Sequence, residues 1–122
     1  MAIKLFDAEL KLMNVLWDEG EATAKRLAEI LAKRVGWSKT TTYTIIKRCI
    51  EKGALGRSEP NFVCRPIVSI EDVREYETNE LIKKMYDGAA DQLVASILGR
   101  GSLSMDEIGR LKDLINEMEG RL

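Results

Sequence analysis

The side chains most able to do chemistry in this chain lie between Trp37 and Gly53, on one face of a predicted helix. An apolar stripe at helical spacing marks the other face and consists of Thr42, Ile45, Ile46, Cys49 and Ile50. The hydroxyl and basic face consists of Lys39, Thr40, Tyr43, Thr44 and Lys47, with Arg48 at its margin. Short hydroxyls and long cations suit contacts with phosphates and base edges in a DNA groove. For this segment alone, an ordinary amphipathic helix with a solvated charged face is the alternative interpretation.

Two upstream helices are predicted to position this face. The first runs from Asp7 to Asp18, and Gly20 ends it. Thr23 is the predicted N-cap of the second, which continues to about Val35 at i, i+3, i+4 apolar spacing and closes at Gly36. Ser38 then caps the third helix. Two helices joined by a tight turn, the second with a basic-hydroxyl face, are the elements of a helix-turn-helix.

The residues after Gly53 change from a helical to a strand pattern. Two short runs rich in β-forming residues, 54–57 and 62–68, flank the turn-prone sequence 58–61. A hairpin directly after the third helix predicts a winged helix. The fold class is therefore mainly α with a small β-hairpin, a winged helix-turn-helix followed by a two-helix dimerisation extension.

The predicted DNA contacts fall into three groups. Ser38 and Thr41 belong with the hydroxyl and basic face of the third helix, within which Thr40, Tyr43 and Lys47 are the candidates for base edges. The start of the second helix adds Thr23, Lys25 and Arg26, because exposed amides and the positive dipole end favour a phosphate. The wing adds Arg57 and Arg65, which flank the groove.

The C-terminal part, residues 69–122, is predicted to pair with a second copy. Ser69 caps a helical pattern that runs to about Leu98, with Gly88 inside it as a kink or a point of close helix approach. A second capping box at Ser104 starts a final helix with a narrow apolar seam. The residues expected between subunits are Leu81, Met85, Leu93, Ile97, Leu111 and Ile115. Two helices bury this much apolar surface most simply in a symmetric dimer, so we divide the chain into a DNA-binding domain, 1–68, and a dimerisation domain, 69–122.

The sequence resembles the BlaI/MecI/CopY penicillinase-repressor family of bacterial transcriptional regulators. The matching stretches are Asp7-Ala8-Glu9-Leu10, Val15-Leu16-Trp17, Gly20-Glu21-Ala22-Thr23, Trp37-Ser38, Thr41, Thr44, Arg48, Lys52-Gly53-Ala54-Leu55 and Arg65-Pro66. The resemblance implies a homodimeric winged-helix repressor on a palindromic double-stranded DNA operator. Thr44 and Arg48 match family positions, which favours phosphate contacts for both.

The charge distribution is consistent with that interpretation. The whole chain of 122 residues has a formal net charge of −1. Residues 1–68 hold 12 Lys/Arg against 8 Asp/Glu, whereas residues 69–122 hold 7 against 12. A basic half suits a polyanion, and an acidic half stays away from it. Neither a membrane-length apolar run nor a signal peptide is present in this sequence, so we expect a cytoplasmic protein without a membrane partner.

The residue types argue against other function classes. With no His, no nucleophile signature and no phosphate-binding Gly-rich loop, we expect neither an enzyme nor a cofactor. Cys49 and Cys64 are isolated in sequence, which argues against a metal site and favours structural thiols. Two alternatives stay open: a winged-helix module that binds protein, and a thiol-based redox-sensing regulator in which these cysteines oxidise.

Neither of the sequence motifs by which members of this family respond to an inducer is found at its expected place in this chain. The family includes repressors that a membrane sensor-protease cuts at an Asn-Phe bond in the dimerisation region, but residues 95–100 contain no such dipeptide. Asn61-Phe62 lies in the predicted wing instead. Copper-responsive members carry Cys-x-Cys pairs near the C-terminus, and residues 100–122 contain no Cys. The sequence therefore supports no particular inducer, target gene or operator sequence.

Overall fold

A computed structural model describes residues 3–122. The helices are α1 (Asp7–Glu19), α2 (Ala24–Val35), α3 (Lys39–Lys52), α4 (Ile70–Tyr86), α5 (Ala90–Gly99) and α6 (Met105–Arg121). The strands are β1 (Ala22–Thr23), β2 (Leu55–Ser58) and β3 (Val63–Pro66). The chain divides into two compact units after Asn79, inside α4, and the predicted domain boundary at 68/69 stays a prediction.

The first unit is built around the apolar faces of α1, α2 and α3. Leu12, Leu16, Leu27, Leu31 and Ile46 are fully buried in its core. Their i, i+4 spacing within each helix places them on one face, and burying such side chains is the main source of stability. Val68 and Val73 join the same core at the start of α4.

The ends of α2 and α3 follow from residues that act locally. The Thr23 and Ser38 hydroxyls accept from the backbone N–H of Arg26 and Thr41, each at 3.1 Å, which confirms both predicted N-caps. Gly36 and Gly53 end the two helices in the left-handed conformation. These four residues fix where the third helix begins and how it leaves the turn.

The wing is a three-stranded antiparallel sheet in the order β1-β3-β2. Arg57 lies opposite Cys64 in the predicted hairpin, and Ala22 lies opposite Cys64 on the other side of β3. β1 was not predicted, because a two-residue strand is too short to show a period in the sequence. Its pairing ties the start of α2 to the wing.

The second unit contains the end of α4 together with α5 and α6. The pattern predicts one helix to about Leu98, but Asp87 and Gly88 have φ of +49° and +86°, and the helix is broken there into α4 and α5. A left-handed pair is incompatible with a continuous right-handed helix, so three helices replace the predicted two. The Ser104 capping box is confirmed. Within residues 3–122, no helix is both long and apolar enough to cross a membrane.

Candidate nucleic-acid interface

The exposed face of α3 is a shallow groove lined by hydroxyl and basic side chains. It is lined by Lys39, Thr40, Tyr43, Thr44 and Lys47 and has a volume of about 390 Å³. All of these side chains are exposed except Tyr43, which is half-buried. The structure thus places together the set that the sequence predicted, with Arg48 exposed at its margin.

Several hydroxyls of this face are already used by the helix. Ser38 Oγ donates to Thr41 Oγ1 at 3.0 Å, and Thr44 Oγ1 donates to the Thr40 carbonyl at 2.9 Å. Within the described residues, Thr40 Oγ1, the Tyr43 hydroxyl and Lys47 Nζ have no hydrogen-bond partner in the protein. These three groups are therefore available to a ligand that presents both donors and acceptors.

Tyr43 connects α3 to the wing. Its ring meets the Phe62 ring edge-to-face, with centroids 5.8 Å apart, and Lys39 Nζ lies 5.6 Å from the Tyr43 centroid. On its other side, Phe62 lies under the Arg57 guanidinium, which is 3.6 Å from the ring centroid. Aromatic and cation–π contacts of this kind are worth about 1 kcal/mol each and fix ring orientations. Sequence reasoning missed Phe62, although its place at the wing turn was a usable signal.

Three of the four arginines predicted to bind phosphates have a carboxylate partner. Arg26 pairs with Glu19 at 3.2 Å, Arg57 with Glu59 at 2.6 Å, and Arg65 with Glu21 at 2.5 Å. All six side chains are at least 31% exposed. Exposed ion pairs of this type contribute little to stability, so an incoming phosphate can replace the carboxylate.

The start of α2 offers fewer open amides than the sequence analysis assumed. The Ala24 N–H donates to the Phe62 carbonyl at 3.0 Å, and the Arg26 N–H donates to the Thr23 hydroxyl. Lys25 is exposed and lines a second groove with Lys39. The long cations near this helix start are therefore better placed for a phosphate than the capped amides.

Both cysteines are closed off from solvent. Cys49 on α3 and Cys64 on β3 are each 0% exposed. Burial, with the Glu9 charge as a smaller cause, raises the pKa of the Cys49 thiol to about 12. Burial also raises the pKa of Cys64 to about 11. Thiols with such pKa values stay protonated near neutral pH and react slowly, so these residues favour a structural role over the redox alternative.

The six predicted dimerisation residues keep much of their surface in contact with solvent. Leu81, Met85, Ile97 and Ile115 are 42%, 63%, 37% and 55% exposed. Leu93 and Leu111 are half-buried. Neither α5 nor α6 has a buried residue. The second unit therefore presents apolar side chains without covering them.

Three packed helices, a small sheet after the third helix and an exposed basic-hydroxyl face on that helix define a winged helix-turn-helix protein. The chain belongs to the penicillinase repressor family, whose family model matches residues 5–117. It is 29% identical over 120 residues to the penicillinase repressor of Bacillus licheniformis, covering 97% of this chain and 94% of that protein.

Two solved structures match the winged-helix part. One is the solution structure of the DNA-binding domain of the repressor BlaI, with a TM-score of 0.54 and 31% identity, covering 59% of this chain and 90% of that one. The other is the monomeric Bacillus licheniformis BlaI in complex with the blaP half-operator, with a TM-score of 0.52, 31% identity and the same coverage. The family resemblance and the mainly α winged helix-turn-helix fold with its small β-sheet are thereby confirmed.

Proposed function

We propose that this chain is a sequence-specific DNA-binding transcriptional repressor that acts as a homodimer on a palindromic operator. The observation that carries the proposal is the groove on α3 that Thr40, Tyr43 and Lys47 line together with Lys39 and Thr44. It is supported by a fold that matches a repressor in complex with its half-operator. The regulator names of the relatives also agree with the prediction that the chain is not an enzyme.

The proposed reading of bases rests on side-chain chemistry. In the major groove, a Lys ammonium suits the guanine O6 and N7 acceptors, and a Thr suits either a polar edge or the thymine methyl. The Tyr43 hydroxyl both donates and accepts, so it fits more than one base edge. A helix of 14 residues spans about 21 Å, which is ample for reading one half-site.

The proposed grip on the backbone comes from the exposed cations around that helix. Lys25, Lys39 and Arg48 are exposed and have no carboxylate partner within the described residues. Arg26, Arg57 and Arg65 add three guanidiniums, once their carboxylates are displaced. Neutralised phosphates release counterions, and each one steepens the salt dependence of binding.

The proposed dimer follows from the apolar surface of the second unit. Ile108, Leu111, Ile115, Met118 and Leu122 recur at spacings of three and four along α6. Ile115 and Met118 are each 55% exposed. An exposed apolar seam of this length is a liability in a monomer, and a second copy of the same seam covers it by symmetry.

The DNA-binding proposal is tested by mobility shift with duplexes of random sequence across a salt series, followed by sequencing of the genomic DNA that the protein retains. We expect binding that weakens steeply with salt, because phosphate contacts release counterions, and enrichment of one inverted repeat. Salt-insensitive or absent DNA binding would instead favour the alternative, a winged helix that binds protein.

Replacing Tyr43 with Ala is expected to change the preferred operator sequence and to weaken the preferred site by about 1–3 kcal/mol per lost base contact. Tyr43→Phe is the matched variant, since it keeps the ring between Lys39 and Phe62 and removes only the hydroxyl. Competition binding against a panel of single-base operator variants measures both changes. If Tyr43→Ala leaves affinity and preference unchanged, Tyr43 does not read DNA.

A further inference from the structure

The cations of the interface fall into two classes according to their partners. Within the described residues, Lys25, Lys39, Lys47 and Arg48 lack a carboxylate partner, whereas each of the three arginines near the wing and the start of α2 has one. The three cations on α3, and Lys25 on α2, can therefore bind a phosphate without first losing a carboxylate. The three flanking arginines must exchange a carboxylate for the phosphate.

Of the three pairs, Arg57–Glu59 is the most extensively hydrogen-bonded. Glu59 Oε1 accepts from both Nη2 and Nε of Arg57, at 2.6 and 2.7 Å. Its other oxygen accepts from the Phe62 N–H at 3.1 Å. Arg57 is held from the opposite direction by the Phe62 ring, which in turn packs on Tyr43. The carboxylate is thus fixed at the tip of the wing and connected by contacts to the reading helix.

Glu59 occupies its arginine in the way that a phosphate would. A guanidinium fork binds carboxylate and phosphate oxygens with the same geometry, so the two anions compete for the same donors. The hydrogen bonds from Arg57 and then from the Phe62 N–H hold the pKa of Glu59 below its usual range. The competitor is therefore ionised throughout the pH range in which the protein would bind DNA.

We propose that Glu59 is a specificity-determining residue, whose carboxylate occupies the Arg57 guanidinium until a phosphate in the correct register replaces it. The inference rests on the proposed DNA-binding function. In a complex with random DNA, no phosphate is aligned with the fork, so the pair persists and Arg57 adds little affinity. In the registered complex, a phosphate replaces the carboxylate, and the contact is made only there. Only the registered complex bears the cost of breaking the pair, so the pair lowers affinity for the operator more than affinity for random DNA.

The test compares the full-length protein with Glu59→Gln. The amide retains an acceptor for the Phe62 N–H but carries no charge to hold Arg57. We expect Glu59→Gln to bind the selected operator about fivefold more tightly, as loss of an exposed ion pair allows, and random duplex by a smaller factor. The salt slope on random duplex should steepen by about one unit, because Arg57 then neutralises one more phosphate.

Two controls separate this mechanism from a general charge effect. Glu51→Gln removes the same charge from the exposed surface of α3, where the described residues place no cation partner. It should change operator binding far less than Glu59→Gln does. The double variant Arg57→Ala/Glu59→Gln should bind DNA no more tightly than Arg57→Ala alone, because the gain from Glu59→Gln requires Arg57.

Each outcome decides the inference. An unchanged ratio of operator to random affinity in Glu59→Gln overturns it, and so does a gain that persists without Arg57 or that Glu51→Gln reproduces. Failure of the proposed function gives a different result, since the wild-type protein would then bind no duplex in a salt-dependent way.

Discussion

Replacing Lys52 with Met is expected to lower the free energy of unfolding by about 3 kcal/mol. Glu9 on α1 is only 2% exposed, and its carboxylate accepts from Lys52 Nζ and from the Phe6 N–H. Lys52 Nζ also donates to the Lys4 carbonyl at 2.8 Å and lies 4.0 Å from the Phe6 ring centroid. Removing the ammonium leaves a buried carboxylate without its counter-charge. The effect lies near the lower end for buried pairs, because the Lys52 side chain is 27% exposed.

Urea unfolding followed by circular dichroism measures this loss. Lys33→Met is the matched control, since Lys33 lies exposed in the last turn of α2 without a carboxylate partner in the described residues. The double variant Glu9→Gln/Lys52→Met should recover part of the stability, because neither charge then remains in the protein interior. Equal losses for Lys52→Met and Lys33→Met would show that the pair does not stabilise the fold.

The sequence predicts most of the helix ends, because the signals for them are local. A hydroxyl accepts from an amide three residues ahead, and a glycine permits the left-handed turn at the residue where the helix stops. Thr23, Ser38, Gly36 and Gly53 all act in this way. The signal for the wing turn, the turn-prone sequence 58–61, is equally local. Such features need no knowledge of the rest of the fold.

Contacts between distant residues were not predictable from spacing. Glu9 and Lys52 are 43 residues apart, and the apolar pattern of α1 gives no reason to bury an acid. Both residues fall in stretches that carry the family resemblance, but the resemblance does not say that they pair. At Gly88 the sequence predicted a kink or a close helix approach, but not that the helix ends there, because the apolar spacing continues across the break.

The candidate interface was predicted in composition but not in detail. The amphipathic pattern of α3 places Thr40, Tyr43 and Lys47 on one face, since helical geometry alone determines that. The pattern does not show that Glu59 and Phe62 engage Arg57 and Tyr43, because these contacts depend on how the wing folds back towards α3. The roles of the individual site residues stay predictions.

Replacing Leu111 with Asp is expected to convert a dimer into a monomer. Leu111 lies half-buried in the middle of the apolar seam of α6, and an aspartate there would place an unpaired charge in the proposed interface. The monomer should retain its winged helix, because the buried core of the first unit ends at Val73. It should bind a full operator about 100-fold to 10,000-fold more weakly, since the two half-sites are no longer bound by one linked molecule.

Sedimentation velocity of the full chain and the variant measures assembly, and a titration of full and half operators measures the linkage. Asn116→Asp is the matched control, because it adds the same charge to an exposed position of α6 outside the seam. It should leave the dimer and the full-operator affinity unchanged. Wild type and Leu111→Asp should bind a half-operator with similar affinity, since α3 is intact in both proteins. If the wild-type chain sediments as a monomer, the dimer is excluded. The palindromic operator then loses its physical basis, because a monomer with one α3 helix has no two-fold symmetry to match the two half-sites.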